Sequence, residues 1–590
     1  MHDFLIPLIL GLGALVPALA RAEDADGRSR FHALVSEAWE FRLAEDPILA
    51  TSVGDHRFDD RLPAAGIADE ARRTEKYRDF RKRLLAIDAS GLNEIDRESY
   101  ALFRRELDDA ISDFELHGYR FPINADSGFH IEFAQLPEDH PLATTRDYEN
   151  YVARLRAFPE YTRQNIGRLR EGIRTGWTLP AVVLKGYEET IQAHIVAAPS
   201  QSRFYPPFAH FPPGVPESER ARLREAGAAA IADQVVPAYR EFLAFMVGEY
   251  MPKARATVGV SELSGGKEFY ASRVRHFTTL DKTAEEIHAL GLEEVRRIRG
   301  EMETVIRQSG FTGSFDEFLK FLRTDPRFYA KTPEELLQHA AWIAKEIDGK
   351  LPSLFGRLPR QPYGVEPVPA EIAPRYTGGR YVPASLDGKR AGTYWVNTYA
   401  LESRPLYVLE SLTLHEAVPG HHLQMALAKE MADLPSFRRY LYIDAFGEGW
   451  GLYSERLGLE MGLYADPYSN FGRLTYEMWR ACRLVVDTGL HAKGWTRQQA
   501  IDYLASNTAL SLHECTTETD RYIAWPAQAL AYKMGELKIR ELRKKAEKSL
   551  GPRFDVRAFH DRLLSGGTVT LPILEARIDS FIREQNGAKP

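Results

Sequence analysis

The sequence predicts a mostly α fold, a large helical shell with one small β element set just ahead of a histidine-bearing helix. Three observations predict it. From Asp24 to about Lys350, apolar residues recur at three- and four-residue spacing between proline and glycine breaks, which is the period of amphipathic helices. Between Leu351 and Arg404 the composition turns to Pro, Gly and Tyr, with short aromatic and β-branched runs such as Tyr394-Trp395-Val396-Asn397-Thr398. After Pro405 the helical period returns and holds to the end.

Taken in order, the chain opens on an apolar run, Phe4 to Ala20, "FLIPLILGLGALVPALA", that ends in small residues and reads as a signal peptide over 1–22. No cysteine follows it, so no lipid anchor is expected, and later apolar stretches carry charges every few residues, so no membrane span remains after cleavage. The expected location is the periplasm or the medium. A helical lobe is expected over 23–262 and a second over 263–590, divided at the turn-rich "SELSGG" of 261–266 but forming one continuous unit. A representative helix begins with a capping box of Thr283 and Glu286 and carries Ile287, Leu290, Val295, Ile298, Met302 and Val305 as its buried stripe. The β element is expected near 370–400, turning at Asp387-Gly388, where an edge strand could hold an extended peptide by main-chain hydrogen bonds. The helix behind it is expected to start with Ser403 as cap and Pro405 in its first turn.

Composition narrows the function. Of 590 residues, 44% are hydrophobic and 27% charged, as in a globular protein, and the net charge of −7 without a basic cluster gives no reason to expect nucleic acid or an anionic membrane as partner. Cys482 and Cys515 are too few for a disulfide framework, lie in no C-x-x-C pair, and read as buried thiols.

The chemistry gathers at "LHEAVPGHH", 414–422. His415 and Glu416 open the H-E-x-x-H pattern, in which two histidines one turn apart hold zinc and the glutamate serves as base, but the fifth position is Pro419. On an ideal helix His415 and His422 would sit roughly 10 Å apart and His421 would point about 120° away, so neither could share an ion with His415. Pro419 removes the bond to the His415 carbonyl and forces a kink or bulge that Gly420 can absorb. Such a bulge could bring either His421 or His422 into place; the small residue just before His421 favours it, and both stay open. A third ligand is offered by "DAFGEGWGLYSE", where Asp444, Glu448 and Glu455 share one stripe and Glu448 is bracketed by glycines. Trp450 and Tyr453 mark that helix as partly buried, where an unpaired carboxylate would be costly.

These stretches resemble a bacterial family, domain of unknown function 885 (DUF885), whose members carry H-E-x-x-P-G-H-H and a later E-G-W-x-L-Y-x-E helix. The chain has "HEAVPGHH" and "EGWGLYSE", together with "RLVVDTGLH" at 483–491 and "DRYIAWPAQALAYKMG" at 520–535. The family is similar in turn to helical zinc peptidases of the angiotensin-converting enzyme and carboxypeptidase Taq type, which carry H-E-x-G-H and a downstream glutamate ligand in a helical shell around a long cleft. The resemblance therefore implies a deep cleft, one Zn2+ per chain and a metallopeptidase for short peptides, and the N-terminal apolar run makes it an exported one. Two extra residues inside the motif leave the second histidine ligand undecided.

On this reading His415, Glu448 and one of His421 and His422 hold zinc, and Glu416 is the general base. Tyr522 or His491 steadies the oxyanion, while Asn397 and Arg521 bind substrate. Asp444, Glu455 and Asp487 are the carboxylates open to orient a ligand histidine. Arg480, Arg483, Asp487 and His491 share a helical stripe that would otherwise read as a salt-bridge ladder. The competing readings are another zinc amide or ester hydrolase on the same scaffold, and a non-catalytic peptide-binding protein with a degenerate site.

Overall fold

The computed structural model describes residues 15–125, 127–370, 372–384 and 390–587, apart from the side chains of 15–26 and Arg375. The signal-peptide reading falls largely, and the Asp387-Gly388 turn wholly, outside those residues. The fold is mostly helical, with one small sheet. Among the described residues no helix is long and apolar enough to cross a membrane.

The elements that build the site, in chain order, are helix α1 (Ala284–Gln308), strands β1 (Tyr363–Pro367), β2 (Gly379–Val382) and β3 (Gly392–Val396), then helices α2 (Leu409–Glu416), α3 (His421–Lys429), α4 (Asp444–Leu457), α5 (Pro467–Ala492), α6 (Leu512–Ala524) and α7 (Leu530–Leu550). The capping box of Thr283 and Glu286 starts α1, and Ile287, Val295, Ile298, Met302 and Val305 are buried as its period predicts. The face carrying them packs along α5, which is buried over almost its whole length and forms the spine of the second half. The sheet has the order β1-β3-β2, with β1 parallel and β2 antiparallel to β3. It begins at Tyr363, earlier than the composition placed it.

Ser403 and Pro405 do not start the motif helix. Both belong to the preceding single turns, and the α-helix proper begins at Leu409 after a 3-10 turn over Leu406–Val408. One apolar core runs from Ile123 to Ala529 and draws on both sides of position 262; a second joins Phe31 to Leu107 with Ile347 to Ile582. Helices α4 and α7 touch backbone to backbone, since a Cβ on Gly449 would lie 2.5 Å from the Gly535 Cα. Helices α1, α5 and α7 are tied by a buried charge network. Lys533, fully buried, lies 3.1 Å from Glu294, 3.0 Å from Glu477 and 2.9 Å from Glu536, and Arg297 and Arg473 complete the Glu477 side. A buried charge is tolerated when its partners are this complete.

Candidate metal centre

Helix α2 stops at Glu416 because Pro419 has no N–H for the His415 carbonyl and its ring would press against that carbonyl. The chain crosses Ala417–Gly420, with a cis Val418–Pro419 bond, and resumes as α3. The kink predicted at Pro419 is thus a full break, bridged by Ala417 N–H to Thr413 O (2.9 Å) and His422 N–H to Ala417 O (3.1 Å). Gly420 is indispensable, since a Cβ there would lie 1.9 Å from the His415 carbonyl oxygen. The break brings the imidazoles of His415 and His421 edge to face, with centroids 4.8 Å apart.

Glu448 on α4 faces both rings. Its Oε2 lies 3.4 Å from His415 Nε2 and 3.5 Å from His421 Nε2. These separations are long for hydrogen bonds. They match instead the edge of a tetrahedron, about 3.4 Å, whose centre lies about 2.1 Å from each donor atom. One donor atom from each residue lies within 4.8 Å of the others, the one such group among the described residues. His415 and His421 are only 2% and 7% exposed. Two imidazole nitrogens and one carboxylate oxygen are a donor set that fits a divalent ion and leaves further positions open.

The electrostatics point the same way. Burial alone would strip a proton from His415, but the facing Glu448 carboxylate, the hydrogen bond to Glu455 and the Glu416 charge outweigh it and push the imidazole up to about 9. Burial works against the Glu448 charge too, yet His421 and His415 hold that carboxyl well below the usual carboxylate range. The pocket thus favours positive charge at its centre.

The surroundings fix the donor group. His415 Nδ1 bonds Glu455 Oε1 at 2.8 Å, which turns Nε2 toward Glu448, and the same carboxylate lies 3.4 Å from Arg480. Of the three carboxylates open to this task, Glu455 performs it. Under the ring lies Gly451, where a Cβ would come within 2.7 Å of the imidazole. Trp450 Nε1 donates to the Pro419 carbonyl at 2.8 Å and steadies the break. Glu416 is next to the group, its Oε2 accepting the Tyr381 N–H at 2.8 Å.

Other predicted residues are placed differently. His422 is not in the donor group, because its Nδ1 is bonded to the Tyr381 hydroxyl (2.9 Å) and its Nε2 to the Gln361 carbonyl (3.0 Å). His491 is fully buried, with Nδ1 accepting Val260 N–H (3.1 Å) and Nε2–H donating to the Tyr522 carbonyl (2.9 Å), so it is a strut and faces no substrate. Burial lowers it to about 4 and keeps it neutral. The Tyr522 hydroxyl accepts from Trp479 Nε1 and Arg483 Nε, each at 2.9 Å. Asn397, fully buried, donates to the carbonyls of Ala373, Tyr376 and Thr377 and accepts Tyr399 N–H, so it ties a turn together in place of binding substrate backbone. Arg521 spends its guanidinium on Glu518 (3.2 Å) and Gln528 (2.8 Å). Asp444 accepts from Gln528 at 3.1 Å. Asp487 accepts the Tyr270 hydroxyl (2.6 Å) and Ala527 N–H (3.1 Å), pinning the turn in which Ala527 has φ 70°; its burial raises the carboxyl to about 7.

Two tyrosines at the centre escaped the sequence reading. Tyr532 stacks on the His415 imidazole (6.5 Å, 22°) with the Arg483 guanidinium 4.3 Å from its ring, and its hydroxyl bonds no described residue. Tyr442, 39% exposed, donates to Glu448 Oε1 at 3.1 Å. Tyr532 lies inside the shared 520–535 stretch, but nothing in spacing or composition separates these two from the other tyrosines, 27 in all.

The family profile described as "Bacterial protein of unknown function (DUF885)" matches residues 47–578, so the chain belongs to that family. A candidate lipoprotein of Colwellia psychrerythraea has the same fold, with a TM-score of 0.88 and 27% identity over 95% of this chain and 99% of its own. A candidate lipoprotein of unknown function from Shewanella oneidensis shares the fold at a TM-score of 0.71 and 18% identity, over 92% of this chain and 99% of its own. No curated protein matches the chain.

Proposed function

We propose that this DUF885 member is an exported metal-dependent hydrolase and, more narrowly, a zinc metallopeptidase acting on short peptides. The observation that carries the reading is the convergence of His415, His421 and Glu448, from three helices, on one largely buried point, with Glu448 Oε2 at tetrahedral donor spacing from both imidazoles. Two nitrogens and a carboxylate with an open position favour zinc in a catalytic role. When bound, such an ion supplies Lewis acidity at the donor group.

The chain's own residues do the rest. Glu416 has one oxygen held by the Tyr381 N–H, and the other accepts from no described residue. That oxygen takes a proton from the water attacking a carbonyl carbon. As the new C–O bond forms and the C–N bond breaks, Glu416 passes the proton to the departing nitrogen. The Tyr532 hydroxyl, bonded to no described residue, offers a donor to the carbonyl oxygen as its charge grows, the role expected above of Tyr522 or His491. Export rests on the N-terminal apolar run and on the lipoprotein descriptions of both structural neighbours. In this chain the two cysteines, at 482 and 515, are buried, which leaves neither for a lipid.

The test is cleavage of a pool of short peptides, followed by mass spectrometry, for the zinc-loaded chain, the chelated chain and Glu416→Gln. Cleavage is expected in the first alone, with about one zinc per chain by elemental analysis, as the single donor group implies. A chain that takes up no zinc when it is supplied would overturn the reading.

A further inference from the structure

We propose that His422, the second histidine of the motif's pair, is a positioning residue. Through the Tyr381 side chain it holds strand β2 at the height where that strand's own N–H grips the Glu416 carboxylate. The inference rests on Glu416 being the proton acceptor of a metal-assisted hydrolysis.

His422 is 1% exposed and both its nitrogens are committed. Nε2 faces the Gln361 carbonyl at 3.0 Å, so it must carry the hydrogen, and Nδ1 is left to accept from the Tyr381 hydroxyl at 2.9 Å. The ring is wedged between Tyr363 of β1 (4.7 Å between centroids) and Tyr381 of β2 (5.3 Å). Those tyrosines share one face of the sheet. Tyr363 pairs with Gly392 and Tyr381 with Tyr394, and residues two apart on β3 point the same way. Gly392 opens the seat, because a Cβ there would lie 2.3 Å from the Tyr381 hydroxyl.

The other end of the same residue holds the base. Tyr381 N–H donates to Glu416 Oε2 at 2.8 Å. A single residue of β2 is therefore gripped twice, by α3 through its side chain and by α2 through its backbone. Strand β2 is four residues long, lies at the sheet edge and has a ladder partner on one side only, so the β3 ladder and these two grips together set its height above the helices. If the hydroxyl grip is lost, the strand is free to drift and Glu416 loses the donor that orients it, and a displacement near 1 Å is enough to slow a positioned reaction.

The experiment uses the full chain loaded with zinc and compares wild type, Tyr381→Phe, His422→Ala and His422→Gln. Three quantities are read: zinc per chain, amide exchange over 379–382 by mass spectrometry, and kcat and KM on a peptide that the wild type cleaves. Tyr381→Phe and His422→Ala are expected to keep their zinc. In both, exchange in the segment should be roughly tenfold faster, the size of one lost hydrogen bond. Their kcat should fall about ten- to a hundredfold with KM little changed. His422→Gln should recover most of both, because a glutamine amide can accept from the Tyr381 hydroxyl and donate to the Gln361 carbonyl. Wild-type exchange in Tyr381→Phe would overturn the proposal, and so would loss of zinc in His422→Gln, which would make His422 a ligand. If the wild type cleaves nothing, the hydrolase reading fails, and the exchange data still decide whether the grip exists.

Discussion

Two polar seams of the molecule carry residue types suited to hydrolysis, and they differ in how far their bonding capacity is used. Along α5 and α6, His491, Tyr522, Asp487 and Arg521 spend their polar atoms on each other's neighbours and on backbone. Around α2 to α4 the donors of His415, His421 and Glu448 face one another at distances too long for hydrogen bonds. Chemistry needs valence left over, and saturation builds scaffold. On the proposed function the seams should answer mutation differently, the first in stability and the second in metal and turnover.

The sharpest break in that contrast is removal of a ligand. His415→Ala, His421→Ala and Glu448→Ala should each lose essentially all bound metal, whereas His491→Gln should retain it in full, as elemental mass spectrometry of the purified variants will show. Metal loss in His491→Gln would put the two seams in one machine. Next in size is Glu416→Gln, expected to keep its metal and lose about 10²- to 10⁴-fold in kcat/KM, the usual worth of a positioned proton acceptor.

Glu455→Gln sharpens the boundary between the seams, because Glu455 touches both His415 and Arg480. Chelator competition should find zinc affinity weaker by about 10- to 100-fold, the ordinary effect of losing a carboxylate behind a ligand histidine. The pH dependence follows from His415. Its imidazole is pushed up to about 9, so below that pH the ion must displace a proton. Apparent zinc affinity should then climb about tenfold per pH unit from pH 6 to near 9 and level off above it, in the same titration. An affinity flat across that range would mean that His415 holds no proton for the ion to displace. The smallest effect belongs to the saturated seam. Arg521→Gln should lower stability by about 1 kcal/mol in thermal unfolding, since the Glu518 charge would keep only Arg483 as its partner, with metal content unchanged.

Much of this was legible in the sequence, and the reason lies in range. The helical period, the capping box at Thr283 and the donor pair of His415 and Glu448 rest on residue type and local spacing. The consequence of Pro419 was legible too, since a missing N–H is a local fact. The fate of His422 was not, because what occupies its nitrogens lies 41 and 61 residues away, at Tyr381 and Gln361. His491 and Asn397 misled for the same reason. Their side chains are right for chemistry, and only distant backbone partners reveal that they are consumed. Tyr532 was invisible because one tyrosine reads like another until the fold lays its ring on an imidazole.

The glycines beside His415 carry a consequence of their own. Gly420 lies against its carbonyl and Gly451 beneath its ring, and neither has room for a single extra carbon. Neither residue has a side chain to donate, ionise or coordinate, yet each sets the position of an atom that does. An alanine at 451 would tilt the imidazole and leave every donor in the chain, so a geometric fault would pass for a chemical one. The tolerance of this site to genetic drift is thus set partly by positions that contribute no functional group, and whose part is to leave space empty.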